Sequence, residues 1–259
     1  MITAIYYYAI WFLFWFLGWA GIYFIPKNKN DYIENYLIVS IYFLTISFIE
    51  LYFLREFFGK IFNLITIFPL FILATFFILN FMIYLFSNKF LKKPINFIKK
   101  YSDITFLTLD YRFLVSKSFD ILFQQILIIS LVMMLNQEGL STLAISLIFA
   151  VMFGFGHVPI LKIHKGLFGY FYLVASLISS FLFPYLIINY TYGFIYTYIA
   201  HWMFYTNSGI FFWIIKKDET IADNLNINKE KLEEIKTTQI SPKIMEEIIK
   251  PEFKKQEEN

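Results

Sequence analysis

About seven runs of roughly twenty apolar residues follow one another along the chain, and this spacing limits the fold more than any other feature. An α-helix rises about 1.5 Å per residue, so each run is long enough to cross the hydrocarbon core of a bilayer. The runs lie near residues 2–25, 36–54, 61–86, 119–135, 140–156, 166–188 and 192–215. Each is continuously apolar and not alternating, so the pattern predicts an all-α, polytopic transmembrane helix bundle and argues against a barrel. Composition points the same way. Of 259 residues, 59% are hydrophobic and 16% charged, with mean hydropathy +0.61. A water-soluble globule of this length has too little interior to hide that much apolar surface. The first run lacks the basic start and small-residue cleavage site of a signal peptide, so it is expected to be retained as a span.

The basic residues set an orientation. Lys27 and Lys29 follow the first run, and Lys89, Lys92, Lys93, Lys99, Lys100, Arg112 and Lys117 follow the third. Lys162 and Lys165 follow the fifth, and Lys216 and Lys217 open the tail. With seven spans all of these fall on one side, whereas the connections 136–139 and 189–191 carry no Lys or Arg; only Arg55 and Lys60 dissent. The positive-inside rule then places the N-terminus outside and the tail in the cytoplasm, in the plasma membrane of a prokaryote. Four segments follow: three spans in 1–87, a cytoplasmic loop in 88–118, four spans in 119–215 and a charged tail in 216–259. In the loop, Phe90, Leu91, Ile95, Phe97 and Ile98 alternate with lysines, which reads either as an amphipathic helix on the inner leaflet or as an ordinary loop. In the tail, Ser241-Pro242 resembles a helix start. The absence of Cys excludes disulfides and thiolate chemistry. The net charge of +3 sits mostly in loops and speaks for orientation; the expected partners are membrane lipids, not nucleic acid.

Polar groups inside such runs cost a few kcal/mol unless they meet water or a partner, so they mark candidate sites. They are Glu50, the pair Gln124 and Gln125, His157, and His201 with Asn207; Asp120 precedes Gln124 by one helical turn. In the seven-span topology Gln124, Gln125, His157, His201 and Asn207 fall at overlapping depths toward the cytoplasmic side. The simpler role for any one of them is an interhelical hydrogen bond of around 1 kcal/mol. Glu50 and Arg55 are expected to form an interfacial ion pair, and His164, between Lys162 and Lys165, to be solvated. Gly154 and Gly156 suit close helix packing and lack the pattern of a phosphate-binding loop.

The last four runs resemble the CPBP family of intramembrane proteases (CAAX-protease, bacteriocin-processing and Abi proteins). Phe153-Gly-Phe-Gly-His157 matches the family's FxxxH. His201, within Ile199-Ala-His-Trp-Met-Phe-Tyr205, resembles its second histidine, and Gly166-Leu-Phe-Gly-Tyr-Phe-Tyr172 resembles the glycine-aromatic helix start between them. The resemblance covers about residues 105–215. It implies a polar cavity open to the cytosol and hydrolysis of prenylated or other membrane-embedded peptides. The paired glutamates of the family motif EExxxR fall on Gln124 and Gln125, its arginine on Ile129, and the asparagine of HxxxN on Tyr205, with Asn207 close by. Glutamine cannot accept a proton at neutral pH and is a poor metal ligand beside two histidines, so zinc or another divalent ion is disfavoured. Proteolysis is therefore expected to be lost or much weakened, unless Asp120 supplies the missing carboxylate from one turn away.

Two other classes compete. One is a non-enzymatic binding or immunity-type membrane protein, using the same cavity to hold a lipid, peptide or partner helix. The other is a small transporter component, which fits less well because no internal repeat and no matched pair of interrupted spans is visible; Pro69 and Pro184 do not occupy equivalent helices.

Overall fold

The computed structural model describes residues 2–24, 31–164 and 166–216, and among these every regular element is helical. The tail read from 217 onward, together with Lys27, Lys29 and Lys165, lies outside the described residues. In chain order the α-helices are α1 (Ile2–Phe24), α2 (Asp31–Glu34), α3 (Tyr36–Phe53), α4 (Gly59–Leu64), α5 (Ile67–Phe90) and α6 (Ile95–Lys100). They continue with α7 (Tyr111–Gln137), α8 (Thr142–Phe149), α9 (Ile160–Ile163), α10 (Leu167–Asn189) and α11 (Gly193–Ile215). Four of them, α3, α5, α7 and α10, are long and apolar enough to cross a membrane.

The axis of the bundle is α7, which packs against α1, α2, α3, α8, α10 and α11. It is also the least uniformly apolar of the long helices, because Lys117, Asp120, Gln124 and Gln125 interrupt it. Those polar groups are sustainable only where neighbouring helices supply partners, which the central position provides. The outer helices show the opposite pattern. On α5 the side chains of Ile67, Phe71, Ile78 and Met82 stay exposed, as a lipid-facing surface requires.

Two aromatic-rich cores flank α7. The first joins Trp11, Phe14, Phe43, Phe123 and Phe149, and Trp11 Nε1 donates to the Leu127 carbonyl at 2.8 Å. The second joins Phe106, Leu107, Phe168, Trp202 and Phe212, and Trp213 Nε1 donates to the Leu107 carbonyl at 2.7 Å. Both indoles thus satisfy their single donor while burying their rings.

The structure revises several boundaries. The run at 61–86 is not one helix: a 3₁₀ turn (Arg55–Phe58) and α4 precede a break at Ile65 and Thr66, and α5 begins only at Ile67. Pro69 lies in the first turn of α5, where its missing N–H has no intrahelical partner to lose, so it starts the helix and does not kink it. Helix α7 begins at Tyr111, two turns before the run at 119–135, because Asp110 caps it by accepting from Arg112 N at 2.8 Å. The stretch 88–118 consequently holds the end of α5, the six-residue α6, a 3₁₀ turn (Thr105–Thr108) and the start of α7, and no long amphipathic helix. Phe97 of α6 is buried against Phe168 and Phe212. Charge and apolarity mark such a segment as interfacial, but the second core takes its aromatic residue.

The expected Glu50–Arg55 pair does not form. Glu50 points into the first core, fully buried, and neither carboxylate oxygen has a hydrogen-bond partner. Arg55 opens the following 3₁₀ turn and lies over the Tyr52 ring, 4.9 Å from its centroid. Five residues along a continuous helix already turn the two side chains about 140° apart, outside the three- and four-residue spacings that share a face, and the 3₁₀ turn after Leu54 does not bring them together.

Candidate functional site

Helix α8 does not end as a regular helix. It runs into a π turn (Ala150–Gly154) and a 3₁₀ turn (Phe155–His157). Such widened turns re-aim the side chains that follow. Gly154 allows this path, since an added Cβ would sit 2.9 Å from Ser180 Oγ and 3.0 Å from Leu177 Cδ2 on α10. The close packing expected of Gly154 and Gly156 is present, the latter against Trp15 of α1. His157 emerges toward α1, with the Trp19 ring edge-on to it at 6.2 Å.

Its hydrogen bond fixes a tautomer. His157 Nδ1 lies 2.7 Å from the Phe153 carbonyl, which can only accept, so Nδ1 carries the proton and Nε2 presents a lone pair. His201 on α11 is the reverse case. The Gln125 amide donates to the Thr197 carbonyl at 3.4 Å and to His201 Nδ1 at 3.2 Å. With Nδ1 accepting, the neutral His201 ring carries its proton on Nε2. The Gln125 side-chain carbonyl is buried and has no partner. His201 is further held by the Tyr205 ring stacked on it at 5.9 Å and by Phe183 at 5.8 Å.

One turn toward the start of α7 lies a second cluster. Asp120, 1% exposed, accepts from the Gln124 amide at 2.8 Å through Oδ1, and from Tyr32 Oη at 2.9 Å and Lys117 Nζ at 2.5 Å through Oδ2. Lys117 also lies 4.4 Å from the Tyr205 ring centroid and 5.3 Å from that of Tyr32. With three donors on its two oxygens, this carboxylate has little room left to accept from a water. Helix α11 is fastened to the same turn of α7, because Trp202 Nε1 donates to Ser118 Oγ at 2.8 Å and Tyr198 Oη to the Ser118 carbonyl at 3.2 Å.

These side chains border a single cavity of about 1070 Å³ between α1, α7, α10 and α11, lined among others by Asp120, Gln124, His157 and His201. Both imidazoles therefore border one space. Gln125 stands behind the lining and reaches the cavity only through His201. Asn207 does not join: it is exposed on α11, two residues past Tyr205 and on another face. His164 is not simply solvated. Its Nδ1 lies 2.8 Å from Asp103 Oδ2, its ring packs on Tyr172 at 5.4 Å, and both members of the pair border the cavity mouth.

Zinc requires about four ligands, at least three from protein in catalytic sites. Here Asp120 is already bonded by three donors and His201 Nδ1 by Gln125, and among the described residues no three His, Asp or Glu gather as a ligand set. The residues present do not fit a metal centre. The lining offers acceptors in His157 Nε2 and the Gln124 side-chain carbonyl, and N–H donors in Lys117, Gln124 and His201.

Sequence reasoning missed Lys117, Tyr32 and Tyr205. Lys117 read as one more loop lysine, although Lys117 and Asp120 three apart, after a capping Asp110, form the signature of an internal ion pair on one helix face. Tyr32 carried no local signal in so aromatic a chain, and Tyr205 stood out only as the position on which the asparagine of HxxxN falls. No family model, no curated protein and no solved structure matches this chain.

Proposed function

We propose that the chain is a seven-span membrane protein, N-terminus outside, of CPBP-like architecture, whose cavity binds a membrane-derived ligand and does not cleave it. Beside the four helices of sufficient length and hydropathy, α1, α8 with its π and 3₁₀ continuation, and α11 supply the other three crossings. Support for the architecture comes from the order His157 then His201 on successive helices and from their shared cavity.

The observation that carries the loss of hydrolysis is the occupancy of Asp120. It is the only carboxylate beside the two histidines on α7, and its oxygens are taken by Tyr32, Lys117 and Gln124. General-base activation of water needs a free, suitably basic acceptor within hydrogen-bond reach of that water. His157 Nε2 is a free acceptor, but it lacks a carboxylate to stabilise the imidazolium it would become. The reading therefore favours binding over a weakened protease in which Asp120 stands in for glutamate.

Incubating the purified protein with a farnesylated CAAX peptide tests this directly. No release of the C-terminal tripeptide above buffer is expected. Robust release that persists in Asp120→Ala would refute both the binding reading and the stand-in carboxylate.

A further inference from the structure

The cavity has two unlike ends. Along α10, Leu167, Tyr170, Val174, Ile178 and Leu182 all border it and all are exposed. Their spacing of three or four residues places them in one stripe on the helix. At about 1.5 Å per residue the stripe is about 22 Å long. One leaflet of a bilayer's hydrocarbon core is about 15 Å deep, so the wall exceeds the reach of a single acyl chain from that leaflet. Trp15, Gly18 and Trp19 of α1 form the facing side.

The other end is polar. With three donors already on Asp120, the lining adds the N–H groups of Lys117, Gln124 and His201 as donors, beside the Gln124 side-chain carbonyl and His157 Nε2 as acceptors. Lys117 has three N–H bonds, of which one goes to Asp120 and one reaches the Tyr205 hydroxyl, and the side chain, 12% exposed, borders the cavity. Gln124 has a second amide N–H, and the neutral His201 ring carries its proton on Nε2. An ammonium flanked by neutral donors recognises an acceptor-rich anion.

We infer that the cavity takes a single-chain lipid with a small anionic head, its chain along the α10 stripe and its head at Lys117, Gln124 and His201. This rests on the reading of the cavity as a non-cleaving site within the membrane. A carboxylate and a phosphate monoester share the required chemistry, so a fatty acid and a lysophosphatidate are the two sources to separate.

The test uses full-length protein in phosphatidylcholine nanodiscs and equilibrium binding of labelled palmitate, palmitoyl lysophosphatidate and hexadecanol. At least one of the anions is expected to bind about tenfold or more tighter than the alcohol of the same chain, and the tighter anion identifies the source. Lys117→Met is expected to remove that preference and leave the alcohol within about threefold. Ile178→Trp, at an exposed wall position that does not disturb the core, is expected to weaken all three ligands. If Lys117→Met does not fold, the wild-type preference and Ile178→Trp decide. Equal binding of alcohol and anions overturns the anionic head and leaves the binding reading standing. No saturable uptake of any chain overturns both. Tripeptide release from a farnesylated peptide sinks the non-cleaving reading alone, because none of these three probes contains a peptide bond.

Discussion

The Gln124 amide donates to Asp120 Oδ1 at 2.8 Å across one turn of α7 and makes no hydrogen bond to either histidine. Its neighbour Gln125, on the adjacent face, is the one that reaches His201. The two glutamines thus have different jobs: one neutralises donor and acceptor demand around the Lys117–Asp120 pair, and the other sets the tautomer of an imidazole.

Replacing these glutamines with the glutamates of the resembled motif should therefore have unequal effects. Gln124→Glu sets a carboxylate beside Asp120, where two like charges share one cation, and is expected to lower the melting temperature more than Gln125→Glu. Gln125→Glu turns His201 Nδ1 from acceptor to donor. Nitrogen NMR of labelled histidine should show the two His201 ring nitrogens exchanging character while His157 keeps its own. Unchanged His201 signals would contradict the assigned hydrogen bond.

The Lys117–Asp120 pair is nearly enclosed, so removing one partner should be worse than removing both. Asp120→Asn leaves a buried ammonium without its anion and is expected to destabilise by about 3 kcal/mol. The double variant Lys117→Met with Asp120→Asn should recover a large part of that loss. Thermal unfolding of the four proteins closes the cycle, and additive losses would mean that the pair is not coupled.

Outside the spans, Asp110 offers a pH test. The Arg112 guanidinium beside it holds its carboxyl below the usual carboxylate value. A depressed folded-state value means that the stabilisation is complete above the unfolded value of about 3.9 and fades as pH falls through the folded one. Asp110→Ala is expected to cost about 1 kcal/mol at neutral pH through the lost cap. That difference from wild type should shrink in acid below the ordinary carboxylate range, as followed by melting temperature against pH.

Glycines give a test of packing with a built-in control. A Cβ at Gly209 would lie 2.7 Å from the Phe106 carbonyl oxygen and 2.7 Å from Leu109 Cδ2, where α11 meets the turn into α7. Gly209→Ala is expected to lose about 2 kcal/mol. Gly59 sits in α-helical geometry with nothing within 4 Å of its added Cβ. Gly59→Ala should be neutral or stabilising by about 0.5 kcal/mol.

Hydropathy by itself determined the helical class, because lipid leaves no other way to satisfy the backbone of a long apolar run. It also located His157, His201, Gln124 and Asp120, since a polar residue in such a run stands out whatever surrounds it. Their roles were decided only by the tertiary structure. Whether a buried amide meets a carboxylate or an imidazole depends on which helices approach and on the rotation of each about its axis. Composition carries neither quantity. The break before α5, the early start of α7 and the burial of Glu50 without Arg55 share that origin. Each turns on a cap, a turn type or a neighbour's face, and an apolar run reads the same with or without them. Lys117 shows the limit most clearly: the same lysine serves orientation when counted along the chain, and becomes the charge of the cavity only once Asp120, Tyr32 and Tyr205 close around it.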